Sequence, residues 1–113
     1  MTKDIAPYNS KRKPTYLLKD IKELIKKDKI IFPNKEVISD VNNLCLTMHE
    51  AYEEILKLEP KDFSKSSTQP SNNKIWQDAY KKVIKGFHIY IKFKTFDGKF
   101  LLTSFKLDEN KRG

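Results

Sequence analysis

The stretch Phe87-His88-Ile89-Tyr90-Ile91-Lys92-Phe93-Lys94-Thr95-Phe96-Asp97-Gly98-Lys99-Phe100-Leu101-Leu102-Thr103-Ser104-Phe105-Lys106-Leu107 decides the fold. Two apolar-rich runs flank Asp97-Gly98, a strong hairpin signal because a two-residue turn of type I′ needs positive φ at both central positions. Such a turn sets Phe96 opposite Lys99, Phe93 opposite Leu102 and Tyr90 opposite Phe105. Side chains alternate along a strand. Phe87, Ile89, Ile91, Phe93, Phe100 and Leu102 therefore share the core face, and His88, Tyr90, Lys92, Lys94, Thr103 and Phe105 share the other. One inserted residue would move everything beyond it to the opposite face. The second face interleaves cations with aromatic rings, which can neutralise phosphates and stack bases. The competing role is a half-solvated face whose rings lie under lysine stems.

Upstream of the hairpin the period changes to that of helices. Leu17, Leu18, Ile21, Leu24 and Ile25 form one apolar stripe, with Thr15 placed to cap it and Lys26, Lys27 and Lys29 at its end. Asn34 precedes a second stripe of Val37, Ile38, Val41, Leu44 and Cys45, which assigns Cys45 to the core. Thr47-Met48-His49-Glu50 has the form of a capping box before a third stripe of Met48, Ala51, Tyr52, Ile55 and Leu56. Pro60 closes that helix. Ser64 to Lys74 is polar and without period, so it reads as a long loop. Ile75 to Lys85 is ambiguous. Ile75, Trp76, Ala79, Tyr80, Val83 and Ile84 fit a helical stripe capped by Gly86, which periodicity slightly favours, but the stretch also reads as a strand.

The chain has 113 residues, 34% of them charged and 38% hydrophobic, enough for one small α+β domain. The organisation expected is a flexible basic arm over 1–14, a single domain over 15–107 and a charged tail over 108–113. The net charge of +8 is uneven: +6 over residues 1–35, −5 over 36–60 and +7 over 61–113. Polyanions suit such a surface. No apolar run reaches the length of a membrane span, and no secretory signal opens the chain, so no membrane partner and a cytoplasmic location are expected. A single cysteine, Cys45, excludes internal disulfides and paired-cysteine zinc sites. The histidines His49 and His88 stand too far apart in sequence for a helical metal motif, so neither a metal nor another cofactor is expected. His49 reads as a solvated residue of an acidic helix. His88, on the basic face, is the better acid–base candidate. Trp76 reads first as a packing anchor and second as a stacking platform.

One order of residues goes further. Asp62-Phe63-Ser64-Lys65-Ser66, a polar stretch, Ile75-Trp76-Gln77-Asp78-Ala79-Tyr80, then Ile89-Tyr90-Ile91-Lys92 and Ser104-Phe105-Lys106 resembles the MqsR family, the toxin halves of bacterial type II toxin–antitoxin pairs. The resemblance implies a RelE-like α+β fold, with helices packed on an antiparallel sheet and with the run holding Trp76 as a strand. It implies a toxin endoribonuclease that cuts single-stranded mRNA without a metal and is neutralised by a cognate antitoxin. It carries Lys65, Gln77 and Tyr90 over as catalytic residues. Lys92, Lys94, His88, Trp76 and Phe105 are then the residues expected to contact RNA. A rival of the same fold is a non-catalytic protein that binds RNA, or a phage-type inhibitor of another protein.

Overall fold

The Asp97-Gly98 turn forms as its sequence requires, with φ of 54° and 72°. It joins two long strands in a computed structural model that describes residues 9–108. In chain order the elements are β1 (Ser10–Lys11), α1 (Leu18–Lys26), α2 (Lys35–Asn43), α3 (Met48–Leu56), a 3-10 turn (Pro60–Asp62), β2 (Phe63–Gln69), β3 (Asn72–Ile84), β4 (Phe87–Phe96) and β5 (Lys99–Leu107). The five strands form one antiparallel sheet in the order β1-β2-β3-β4-β5. Three helices pack on one face of it, the α+β arrangement expected.

Two of the helix starts follow their caps. Asn34 Oδ1 accepts from the Val37 N–H at 3.0 Å. Thr47 and Glu50 form the reciprocal capping box, at 3.1 and 2.9 Å. Helix α1 differs: it starts after Leu17, with no side-chain cap. Thr15 is drawn away instead, its N–H to the Asp78 carboxylate and its hydroxyl to Ser66 Oγ at 2.7 Å. Cys45 is exposed, not core, because α2 ends at Asn43 and Cys45 takes a left-handed conformation (φ 64°) in the turn beyond it.

The core lies between helices and sheet. Ile21, Val41, Ala51 and Ile55 meet Tyr80, Ile91, Phe93, Phe100, Leu102 and Phe105. Tyr80 stacks on Phe93 with ring centroids 5.5 Å apart, and Phe93 meets Phe100 at 5.3 Å.

Residues 75–84 are strand throughout, as the resemblance implies and against the slight preference of the period for a helix. Their apparent helical period mixes two faces: Tyr80 and Ile84 are buried in the core, whereas Val83 is exposed. The polar stretch from Ser64 is not a loop: its first half is strand β2, which turns at Pro70-Ser71 into β3. Its buried hydroxyls are satisfied by the segment before α1. Thr68 Oγ1 accepts from the Asn9 N–H at 2.8 Å, and Ser66 bonds Thr15. That segment is therefore more than a flexible arm in its described part. Ser10 and Lys11 pair with Ser67 and Ser66. The fully buried Asp78 carboxylate accepts from the N–H groups of Thr15 and Tyr16 at 2.9–3.0 Å. Of the tail expected over 108–113, only Asp108 lies within the described residues.

A further correction concerns register. The hairpin pairs Phe96 with Lys99 and Phe93 with Leu102, then shifts by one residue. Thr103 is the extra residue of a β-bulge. Beyond it Ile91 faces Phe105, and Tyr90 faces Lys106. Phe105 is consequently a fully buried core residue and not part of the basic face. Phe87, expected in the core, is half exposed at the far end of β4.

Candidate active site

Pairing across the sheet sets which side chains share its outer face, away from the helices. One row runs Lys65–Ala79–Lys92–Ser104 across β2, β3, β4 and β5. The next runs Lys81–Tyr90–Lys106 across β3, β4 and β5. Ala79 presents only a methyl group between Lys65 and Lys92, so both lysine stems can cross the sheet surface beside it. The bulge at Thr103 is what brings Lys106 beside Tyr90.

These rows line an open cleft of about 370 Å³ whose walls are Ser64, Lys65, Lys81, Tyr90, Lys106, Leu107 and Asp108. Lys92 adjoins it, with its ammonium 5.8 Å from the centre of the Tyr90 ring. Burial lowers the Lys92 pKa below the usual lysine value, and the positive charges of Lys65 and Lys106 lower it further. Three cations thus act on one spot. A single carboxylate joins them: Asp108, with its side chain 5% exposed, lies 3.3 Å from Lys81 Nζ.

Gln77 lies on the same face as Lys65 and Lys92, two residues before Ala79, and is mostly buried. Its Oε1 accepts from the Thr103 hydroxyl, which leaves the amide NH₂ as the group able to donate elsewhere. Lys94 donates to Gln69 Oε1 at 2.6 Å, so it sits at the β2–β3 turn end of the face. His88 is exposed two residues from Tyr90, in a neighbouring hollow of about 290 Å³ that also holds Asp62, Lys81, Lys82, Val83 and Asp108.

The structure therefore brings Lys65 and Tyr90 to one cleft, with Lys92 adjoining it. It sets Gln77 on the same face one row beyond Lys65 and Lys92, outside the cleft walls, with Lys94 along the face and His88 at the edge. It separates Trp76 from all of them. Trp76 is paired with Thr68 and neighbours Gln77 in the chain, so it faces the other side of the sheet. There Lys11 Nζ lies 4.3 Å from the centre of its ring, and the Tyr16 hydroxyl donates to its carbonyl at 2.9 Å. Its role is to hold the segment before α1. Lys106, Lys81 and Asp108 escape a reading of the sequence, because a regular hairpin puts Phe105 where Lys106 lies. The adjacent hydroxyl residues Thr103-Ser104 are the one local signal of the irregularity. No group of three or more metal-ligating side chains occurs among the described residues.

The arrangement is a small cationic cleft with one phenol, open to solvent, on the exposed face of a sheet. It can hold a phosphate and donate protons to its oxygens. No curated protein matches the chain closely enough to stand as a relative. Residues 13–107 match the family described as "Motility quorum-sensing regulator, toxin of MqsA", a span that takes in the three helices, strands β2 to β5 and every residue of the cleft but Asp108. The chain belongs to that MqsR toxin family.

Proposed function

We propose that this toxin is a metal-independent endoribonuclease of single-stranded mRNA, held inactive by a cognate antitoxin. The convergence of Lys65, Tyr90 and Lys106 on one cleft, with Lys92 at its side, carries the reading. The reaction is attack of a ribose 2′-oxygen on the adjacent phosphorus. The 2′ O–P bond forms, the P–O5′ bond breaks, the 2′-hydroxyl loses a proton and the leaving 5′-oxygen gains one. The products are a 2′,3′-cyclic phosphate and a 5′-hydroxyl. In this reading the ammonium groups of Lys65 and Lys106 stabilise the charge that builds on the phosphorane. Tyr90 gives its hydroxyl proton or a hydrogen bond to a phosphate oxygen. Lys92, crowded by two other cations, gives up its proton more readily than an isolated lysine and is suited to proton exchange. Gln77 donates from its amide and orients the substrate.

Incubating the purified protein with a defined RNA in excess EDTA tests the reading. Discrete fragments with cyclic phosphate ends are expected. Cleavage that needs an added divalent ion contradicts the mechanism, and binding without cleavage supports the non-catalytic rival. Among the described residues no helix is long and apolar enough to cross a membrane.

A further inference from the structure

The cleft has two neighbours of opposite character. On one side it shares Lys81 and Asp108 with the hollow that holds His88 and Asp62. Two carboxylates line that side, and they oppose a second phosphate. On the other side it shares Ser64 and Lys65 with a hollow of about 340 Å³ whose remaining walls are Ser10, Lys11 and Arg12. Among the described residues no carboxylate lines this side. An extended polyanion crossing the cleft meets attraction in one direction and mixed charge in the other.

The segment that carries Arg12 is fastened on both sides of it. Before it, Ser10 and Lys11 pair with β2, and the Lys11 ammonium is committed to the Trp76 ring. After it, the N–H groups of Thr15 and Tyr16 are held by Asp78. Arg12 between them is exposed and has no ion pair among the described residues, of which it is the sole arginine. A guanidinium with fixed backbone and no ion pair among the described residues is suited to two-point contact with phosphate oxygens.

We propose that Arg12 holds a backbone phosphate of the bound RNA, next to the phosphate seated in the Lys65–Tyr90–Lys106 cleft and on the side away from His88. The proposal rests on the nuclease reading above. It gives the RNA path a direction: the strand runs from the cleft toward β1 and makes few contacts toward Asp62.

The test begins by mapping a cut site on a long RNA. Oligonucleotides spanning that site, blocked by a 2′-O-methyl group at the cut and trimmed from the 5′ or the 3′ side, are then titrated against the parent and Arg12→Ala. Arg12→Ala is expected to weaken binding of the full oligonucleotide roughly threefold, the size of an exposed charge contact. It should reduce the log–log salt slope by about 0.7, one phosphate's share for single strands. The loss should vanish when one particular side, and not the other, is trimmed. Arg12→Ala binding as the parent does, or losing the same factor on every trimmed oligonucleotide, overturns the proposal while leaving the nuclease reading intact. A parent that neither cuts nor binds RNA overturns that reading and this proposal with it.

Discussion

Lys92 is a residue whose position costs stability. Its half-buried ammonium is desolvated and faces the charges of Lys65 and Lys106, and all three effects push its pKa down. A group with a folded-state pKa below its unfolded value opposes folding wherever it is charged in the unfolded chain, which covers neutral pH. Lys92→Met keeps most of the stem and removes the charge. It should raise the melting temperature while weakening RNA binding, a trade expected at functional sites. A lower melting temperature would show that the ammonium contributes to the fold. Lys65 is exposed and lies beyond the core, so Lys65→Ala should leave the melting temperature nearly unchanged. Its cleavage rate should fall by about two orders of magnitude, the usual loss for one electrostatic contact to the transition state. Cleavage at the parent rate would remove Lys65 from the site. At this scale the common face of Tyr90, Lys92 and Lys94 was legible through strand alternation, whereas Lys65 and Gln77 were singled out by the resemblance alone. Phe105 was misplaced by the bulge at Thr103, and Trp76 by its pairing with β2, which a single strand's pattern does not contain.

The bulge at Thr103 is the element that makes the cleft. It lets Leu102 and Phe105 both face the core while Thr103 and Ser104 face out. Deleting Thr103 should therefore be tolerated. The strand closes up with Ser104 still opposite Lys92 and Lys106 still beside Tyr90. The cost is the hydrogen bond to Gln77 and some local twist, about 1 kcal/mol. In a hairpin without the bulge Phe105 lies on the outer face, and the same deletion would turn it into the core in place of Ser104 and raise the stability. Thermal denaturation of the deletion variant distinguishes the two registers. The β4–β5 turn and the caps at Asn34 and Thr47 were readable because their determinants lie within a few residues. Strand β2 was not. It is held between β3 and the segment around Asn9 to Thr15, which bonds the hydroxyls of Ser66 and Thr68 from more than 50 positions away. The alternation of β3 was obscured because its two faces are both partly apolar, Tyr80 on one and Ala79 and Val83 on the other.

The whole molecule separates its charges by layer. The acidic stretch of residues 36–60 forms α2, α3 and their flanks on the helix side, while Lys65, Lys81, Lys92 and Lys106 share the exposed face of the sheet. Such a dipole turns the sheet toward a polyanion during encounter. If about five phosphates are engaged, the affinity for single-stranded RNA should fall with salt at a log–log slope of about −3 to −4. A flat response would mean that the lysines are only solvated. The central claim, that this cleft cuts RNA, comes down to the hydroxyl of Tyr90. Tyr90→Phe keeps the ring under the Lys92 ammonium and removes one oxygen. The measurement is the cleavage rate of a defined RNA in EDTA for the parent and for Tyr90→Phe, with melting temperatures recorded alongside. Equal melting temperatures and a rate lower by about two orders of magnitude are expected for a positioned proton donor; a Tyr90→Phe variant that cuts as fast as the parent would contradict the account.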